Sequence, residues 1–388
     1  MSEAYADCMH EALAQAERGK WQTYPNPSVG AVLVSEQGIV ARGYHAKAGS
    51  MHAEVACLHA AKEAGIDPKG LTMVVTLEPC SHFGKTPPCT EALRAAGIRR
   101  VVFGMRDPTL EAAGGKEILE SYGIEVIGPV LEQECQDMLA DFLAWKKDKR
   151  PYILLKMAAS MDGRIATRSG HSQWISCEAS REHVHRLREA ISRINGMVLV
   201  GGNTFRTDNP KLTVRTANNP KQPLAGVITS HLPKAQDAFA LLTHRPTETI
   251  FFSSAACAAS TLAQELRTLG VRVFPIPQCA DGAADLNALF QLILAELHCP
   301  YVLCEGGGLL ARSLLEANLV DEFHLHLAPI ILADNSALPL FSGRTPLTLK
   351  DAIHLRTSHV HLCGDDVHIL LRPKPLPEVS CSPASSRP

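Results

Sequence analysis

His52-Ala53-Glu54, then Glu78-Pro79-Cys80, then Pro87-Pro88-Cys89: how these three pieces are read decides the fold of the first half of the chain. They bring an imidazole, two thiols and a carboxylate into one short stretch. The flanking sequence supplies the scaffold. Residues 52–64 have helical spacing and stop at Gly65, 71–77 are an apolar strand, and 90–96 form a helix ended by Gly97. Further out, 4–18 read as an amphipathic helix and 29–34 with 39–44 as a hairpin turning at Gln37-Gly38. Residues 100–104 and 124–127 read as strands with a helix near 116–122 between them. Strand and helix alternate, which argues for a sheet flanked by helices.

The chemistry of the three pieces is coherent. A lone His-x-Glu is usually a surface or core pair, but H-x-E followed by P-C and a second Cys is the pattern of zinc-dependent deaminases. Zinc takes imidazole and thiolate ligands, and a catalytic zinc keeps one position open. His52, Cys80 and Cys89 offer three ligands. Cys80 and Cys89 are placed near helix N-termini, where the dipole favours thiolate. Zinc lowers the pKa of water toward about 7, and Glu54 can then shuttle its proton to departing ammonia. Ser81-His82-Phe83-Gly84-Lys85-Thr86-Pro87-Pro88 separate the two cysteines, where the generic signature has only two residues. His82 can supply a fourth ligand and close a purely structural site, which would leave Glu54 without a task. In the other reading His82 and Lys85, in a polar and cationic loop, face an anionic phosphate.

Residues 132–147 read as one helix ending in Lys146-Lys147-Asp148-Lys149-Arg150 before Pro151, a solvated end and a domain boundary. A second α/β series follows. Its strands are placed at 152–157, 197–200, 226–229, 249–253, 271–275, 301–304, 322–327, 354–362 and 366–371. Helices are placed near 180–192, 261–269, 286–297 and 309–317. Two strands run into glycines, at Gly201-Gly202 and at Glu305-Gly306-Gly307-Gly308. Such turns let a backbone approach a phosphate, or simply pack a helix. His324 and His326, then His359 and His361, alternate along late strands. A metal cluster is one reading; polar residues on a half-exposed strand is the one adopted.

Composition bounds the rest. With 388 residues, 46% hydrophobic and 20% charged, the chain can build two or three cored domains. Lys+Arg 38 against Asp+Glu 40 gives a net charge of −2, which disfavours broad nucleic-acid binding. The start has no basic or apolar leader character, and no apolar run reaches the ~18 residues of a membrane span. A cytoplasmic protein is expected, whose 12 cysteines are thiols or metal ligands rather than a disulfide frame.

Several stretches resemble one family. Met51–Val55, Val75–Cys89, Pro25-Asn26-Pro27-Ser28-Val29-Gly30 and Gly43–Gly49 are similar to the deaminase half of the bifunctional riboflavin-biosynthesis (RibD) family; the long Ser-His-x-Gly-Lys-Thr-Pro-Pro loop is highly specific to it. Leu155–Ala166, Ser172-Gln173-Trp174-Ile175, Asp208–Arg215 and Glu305–Gly308 with Leu314-Leu315 resemble its reductase half. The resemblance covers nearly all of 1–371. It implies a cytidine-deaminase-like α/β/α zinc domain at 1–147, a dihydrofolate-reductase-like α/β domain at 151–372, and a disordered tail at 373–388.

It further implies deaminase substrate contacts at Asn26, His45, His82 and Lys85. In the reductase it implies substrate contacts at Ser172, Arg188, Leu212, Arg215 and Glu305, and NADPH contacts at Ala158, Trp174, Thr204, Asp208, Ser230, Gly307 and Gly308. Arg188 and Arg215 suit phosphate clamps. Lys156 and Asp162 are candidates for orienting the sugar or nicotinamide. The connection after Arg188 is about four residues longer than the family's, which leaves Arg186 and Arg193 open for its role. The expected function is zinc-dependent deamination of a phosphorylated diaminopyrimidine, then NADPH-dependent reduction of its ribosyl group, by a homo-oligomer that binds neither nucleic acid nor membrane. The alternative is a nucleoside or RNA deaminase fused to a nucleotide-binding domain.

Overall fold

The computed structural model describes residues 3–82, 87–109, 113–215 and 221–374. The first sheet holds β1 (Gly30–Ser35), β2 (Gly38–Tyr44), β3 (Thr72–Leu77), β4 (Arg100–Met105) and β5 (Glu125–Ile127), in the order β2-β1-β3-β4-β5. β1 pairs antiparallel with β2 and β3, whereas β3, β4 and β5 run parallel. Its helices are α1 (Ala6–Glu17), α2 (Ala53–Glu63), α3 (Cys89–Ala95) and α4 (Gly115–Ser121). β3 and β4 are apolar on both faces (Met73, Val74, Val75; Val101, Val102, Phe103), and all six side chains are buried. That is what strands covered on both sides require.

The helix expected over 132–147 is broken. α5 (Glu132–Met138) ends, α6 (Ala140–Leu143) restarts, and Ala144–Asp148 close as one wide π turn. The break lets this segment fasten the halves together. Trp145 Nε1 donates to the Pro300 carbonyl at 2.8 Å, and the Tyr301 hydroxyl donates to Asp141. Arg150 grips both carboxylate oxygens of Asp321, at 2.6 and 2.9 Å.

The second sheet has nine strands: β6 (Tyr152–Ser160), β8 (Met197–Gly201), β9 (Leu224–Ile228), β10 (Thr249–Ser253), β11 (Arg272–Pro275), β12 (Tyr301–Glu305), β13 (Glu322–Ala328), β15 (Leu355–Cys363) and β16 (Asp366–Pro373). They lie in the order β11-β10-β9-β8-β12-β6-β13-β16-β15. From β11 to β13 every pair is parallel; β16 and β15 add an antiparallel hairpin at the edge. A two-strand ribbon, β7 (Arg164–Ala166) with β14 (Leu338–Pro339), went unread in the sequence because each strand is too short to show alternation. Helices α7 (Glu178–Ser192), α8 (Gly202–Asp208), α9 (Ala240–His244), α10 (Ala255–Ala258), α11 (Thr261–Thr268), α12 (Leu286–Leu297) and α13 (Gly308–Glu316) complete this half.

Candidate active site

In the first half the ends of β1 and β3 and the start of α2 surround a cavity of about 420 Å³. Asn26, His45, His52, Glu54, Cys80 and His82 line it. α2 starts at Ala53, so its first turn aims His52 and Glu54 inward. α2 sits hard on β2, since a Cβ at Gly43 would lie 2.3 Å from the Cys57 nitrogen. His52 Nδ1 lies 3.7 Å from the Cys80 sulfur and 3.4 Å from the Cys89 sulfur. The three ligand atoms sit within 4.8 Å of one another, and His82 is not part of that group. One imidazole and two convergent thiols form a donor set that fits zinc and leaves a position free.

Cys89 opens α3 as expected. Cys80 does not start a helix; it lies in the loop after β3, but its sulfur accepts the backbone N–H of Cys89 at 3.4 Å and so faces the start of α3. A hydrogen bond from the Cys89 thiol, with help from His52, brings Cys80 down to about 4, and the same pairing holds Cys89 well above the ordinary thiol value. Glu54 is 4% exposed; burial, then the Cys80 charge, raises its carboxyl to about 7. His45 is fixed at both nitrogens, Nδ1 donating to the Met51 carbonyl at 2.9 Å and Nε2 accepting from Asn26 at 3.2 Å, and burial lowers its pKa. Lys85 lies outside the described residues.

Sequence reasoning missed Asp107, Thr109 and Lys146, which line the same cavity. Asp107 and Thr109 follow β4 in a Pro-containing turn, a legible signal. Lys146 was hidden in a charge run read as solvated.

In the second half the site forms at the carboxyl ends of neighbouring parallel strands, where open α/β sheets bind ligands. β8 delivers Gly201 and Thr204, β9 delivers Ser230, and β12 delivers Glu305 and its glycines. Gly306 and Gly307 have φ of +72° and +80°, and a Cβ on Gly307 would stand 3.1 Å from the Thr204 hydroxyl oxygen. Gly308 starts the nine-residue α13 against the Leu340 carbonyl. This glycine cradle at a helix start fits the phosphates of a dinucleotide. Trp174 is 69% exposed under the Arg181 guanidinium, Asp208 and Ser230 are exposed, and Ala158 is half-buried on β6. Ser172 is half-buried, and Leu212 is buried in the left-handed region at φ +49°.

Arg188 differs from expectation. Its fork is taken by the carboxylate of Glu305, at 2.6 Å on both sides, and Nη1 donates to the Thr213 carbonyl at 2.7 Å. It is therefore not a free phosphate clamp. Burial pushes the Glu305 carboxyl up, but Arg188 outweighs this and leaves it below the ordinary value. Arg186 and Arg193 are exposed and pair within α7, with Glu182 and Glu189. Arg215 is exposed. His185, missed in the sequence, sits close to Arg188, Arg215 and Glu305, one turn before Arg188 on the same helix. Lys156 is half-buried near Glu305, and desolvation lowers its pKa. Asp162 has a different task from the expected one: its carboxylate accepts from the Ser160 hydroxyl and from the Leu332 and Ala333 N–H groups, so it holds a loop.

Fold and sites together define a zinc-dependent deaminase fused to a nicotinamide-dependent reductase. Residues 2–105 match the cytidine and deoxycytidylate deaminase zinc-binding region, and 151–369 match the RibD C-terminal domain. The chain is 38% identical to the riboflavin biosynthesis protein RibD of Bacillus amyloliquefaciens, over 94% of this chain and 95% of that one. Against the RibD of Escherichia coli strain K12 it is 37% identical, over 92% and 96%. Among solved structures, Acinetobacter baumannii RibD superposes with a TM-score of 0.71 at 33% identity, covering 96% of this chain and 99% of that one. The Thermotoga maritima diaminohydroxyphosphoribosylaminopyrimidine deaminase/5-amino-6-(5-phosphoribosylamino)uracil reductase gives 0.75 at 30%, with the same coverage. The chain belongs to the RibD family: a bifunctional deaminase and reductase of riboflavin biosynthesis, with zinc in the first half and NADPH in the second.

Proposed function

We propose that the first half (1–147) deaminates 2,5-diamino-6-(5-phosphoribosylamino)pyrimidin-4(3H)-one at C2, and that the second (151–372) reduces the product's ribosyl group to ribityl. The observation that carries the reading is the convergence of His52, Cys80 and Cys89 beside buried Glu54, in a cavity that also holds Asn26, His45 and His82. Zinc held by those three ligands supplies the Lewis acidity that makes water a nucleophile near neutral pH. Glu54 takes the proton of that water and delivers it to the departing amino group; a C–O bond forms, the C–N bond breaks and ammonia leaves. Its raised pKa suits both directions of transfer. Asn26 and His45 hold the pyrimidine edge, and His82, Lys85 and Lys146 receive the phosphate.

In the second half Ala158, Trp174, Thr204, Asp208, Ser230, Gly307 and Gly308 would hold NADPH, which supplies hydride to C1′. Arg188 fixes Glu305 toward the ribosyl hydroxyls, Ser172 and Leu212 bound the pyrimidine, Arg215 meets the phosphate, and Lys156 orients the sugar. No helix among the described residues is long and apolar enough to cross a membrane. We further read the protein as a cytoplasmic homo-oligomer that does not bind nucleic acid. Support comes from the near-neutral charge and from Val360 and Leu362, exposed on edge strand β15. The test is ammonia release by zinc-loaded protein from this substrate, beside cytidine and single-stranded RNA. Release from the phosphorylated diaminopyrimidine alone is expected; release from RNA or cytidine at a comparable rate would favour the alternative.

A further inference from the structure

The half-exposed strand expected for the alternating histidines is found on β15, where His359 and His361 are exposed, but not on β13. His324 and His326 on β13 and His368 on β16 are 5%, 0% and 3% exposed, because the first turns of α7 cover them. The register lines up histidines across the sheet edge. His326 pairs with His368, and His368 pairs with His361 of β15, so three imidazoles stand side by side on adjacent strands. His183 descends onto this row from α7. Its ring lies 5.3 Å from that of His326 and 4.7 Å from that of His368, and its Nδ1 is 3.3 Å from Nε2 of His326.

One nitrogen each from His183, His326 and His368 falls within 4.8 Å of the others. On His326 and His368 a second nitrogen is occupied as in metal sites, where outer partners fix the ligand's orientation. His326 Nδ1 meets the Ser180 hydroxyl at 2.9 Å. His368 Nε2 meets His324 Nδ1 at 3.1 Å, and His324 in turn reaches the Glu322 carboxylate at 3.3 Å. The remaining nitrogen of His368, Nδ1, is buried and has no hydrogen-bond partner among the described residues. Burial depresses the pKa of all three imidazoles, keeping them in the neutral form that binds metal. Lys156 opposes a cation here, and Glu322 favours one. The exposed ring of His361, 4.7 Å from that of His368, borders the entry side.

We propose that His183, His326 and His368 form a second metal site, in the reductase half, for a divalent transition ion that prefers imidazole, with Zn2+ as its representative. Three neutral imidazoles leave a fourth position for water or for His361, as in three-histidine zinc sites generally. The ion would pin α7 to the β13–β16 edge, little more than one turn ahead of Arg188.

Metal-free full-length protein titrated with Zn2+ and read by native mass spectrometry tests this. The wild type should take up two ions per chain, Cys80→Ser/Cys89→Ser should keep one, and His183→Gln should lose the other. His183 is only half-buried on a helix, so that variant should still fold, which circular dichroism would verify. Ser180→Ala should weaken the second ion about 10–100-fold. With Co2+, the ion that survives in the double cysteine variant should show no thiolate charge-transfer band. Saturation of the wild type at one ion, or a second ion unchanged in folded His183→Gln, would overturn the proposal.

Discussion

The two halves solve the same problem, positioning a reactive pyrimidine derivative, in opposite ways. The deaminase half encloses its chemistry: three ligand atoms and a buried carboxylate converge at one cavity, supplied by the loop after β3 and the starts of α2 and α3. The reductase half spreads its groups along the carboxyl ends of β6, β8, β9 and β12 and holds them by an ion pair, Arg188–Glu305, and a glycine turn. The first site is built to tune acidity, the second to place two large ligands against each other.

The largest expected effect breaks one half and spares the other. Glu54→Gln should lower deamination by about 10²–10⁴-fold while zinc content is kept, because a proton shuttle is removed and a ligand is not. NADPH oxidation with already deaminated substrate should be unchanged. A parallel fall in both activities would show that the halves are not separate machines.

Arg188→Ala should leave the mostly buried Glu305 carboxylate without its main partner and cost about 3 kcal/mol in urea unfolding, with loss of reduction. Adding Glu305→Gln should restore much of the stability but not the reduction. If the double variant is as unstable as the single one, the ion pair is not what holds this site.

The seam between the halves has its own pH signature. Burial raises the Asp141 carboxyl to about 6, despite the hydrogen bond from Tyr301. A carboxyl whose folded pKa exceeds its unfolded value stabilises most below the unfolded value, near 3.8, and this contribution is lost as pH rises through 6. Wild type should therefore lose up to ~3 kcal/mol relative to Asp141→Asn between about pH 4 and 7. Unfolding at several pH values checks the slope; an identical slope in both proteins would remove Asp141 from the account.

The smallest effect sharpens the deaminase pocket. Lys146→Ala should raise the deaminase KM about threefold to tenfold without changing kcat, as expected for an exposed lysine meeting a phosphate by charge alone. An unchanged KM would return Lys146 to the solvated helix end that the charge run suggested.

The contrast also explains what the sequence disclosed. His52, Glu54, Cys80 and Cys89 were legible because their spacing is local and each residue type has few other reasons to stand there. α12 was placed residue for residue at 286–297, where an apolar helical period runs uninterrupted. By contrast, nothing local indicates that Glu305 takes the fork of Arg188, that Asp162 holds residues 332 and 333, or that His326 faces His183. Each depends on strand order. The broken helix at Leu139 escaped because its helical period continues across the break, and the reason for the break, Trp145 reaching Pro300, lies in the other half.

One measurement tests the central claim most directly: the product mass after incubating zinc-loaded protein with the diaminopyrimidinone ribosyl phosphate, with and without NADPH. The deaminated ribosyl compound without NADPH, and the ribityl compound with it, are the predicted results. Unchanged substrate in both reactions would contradict the account, because it would mean that the His52, Cys80 and Cys89 site beside Glu54 does not carry out deamination.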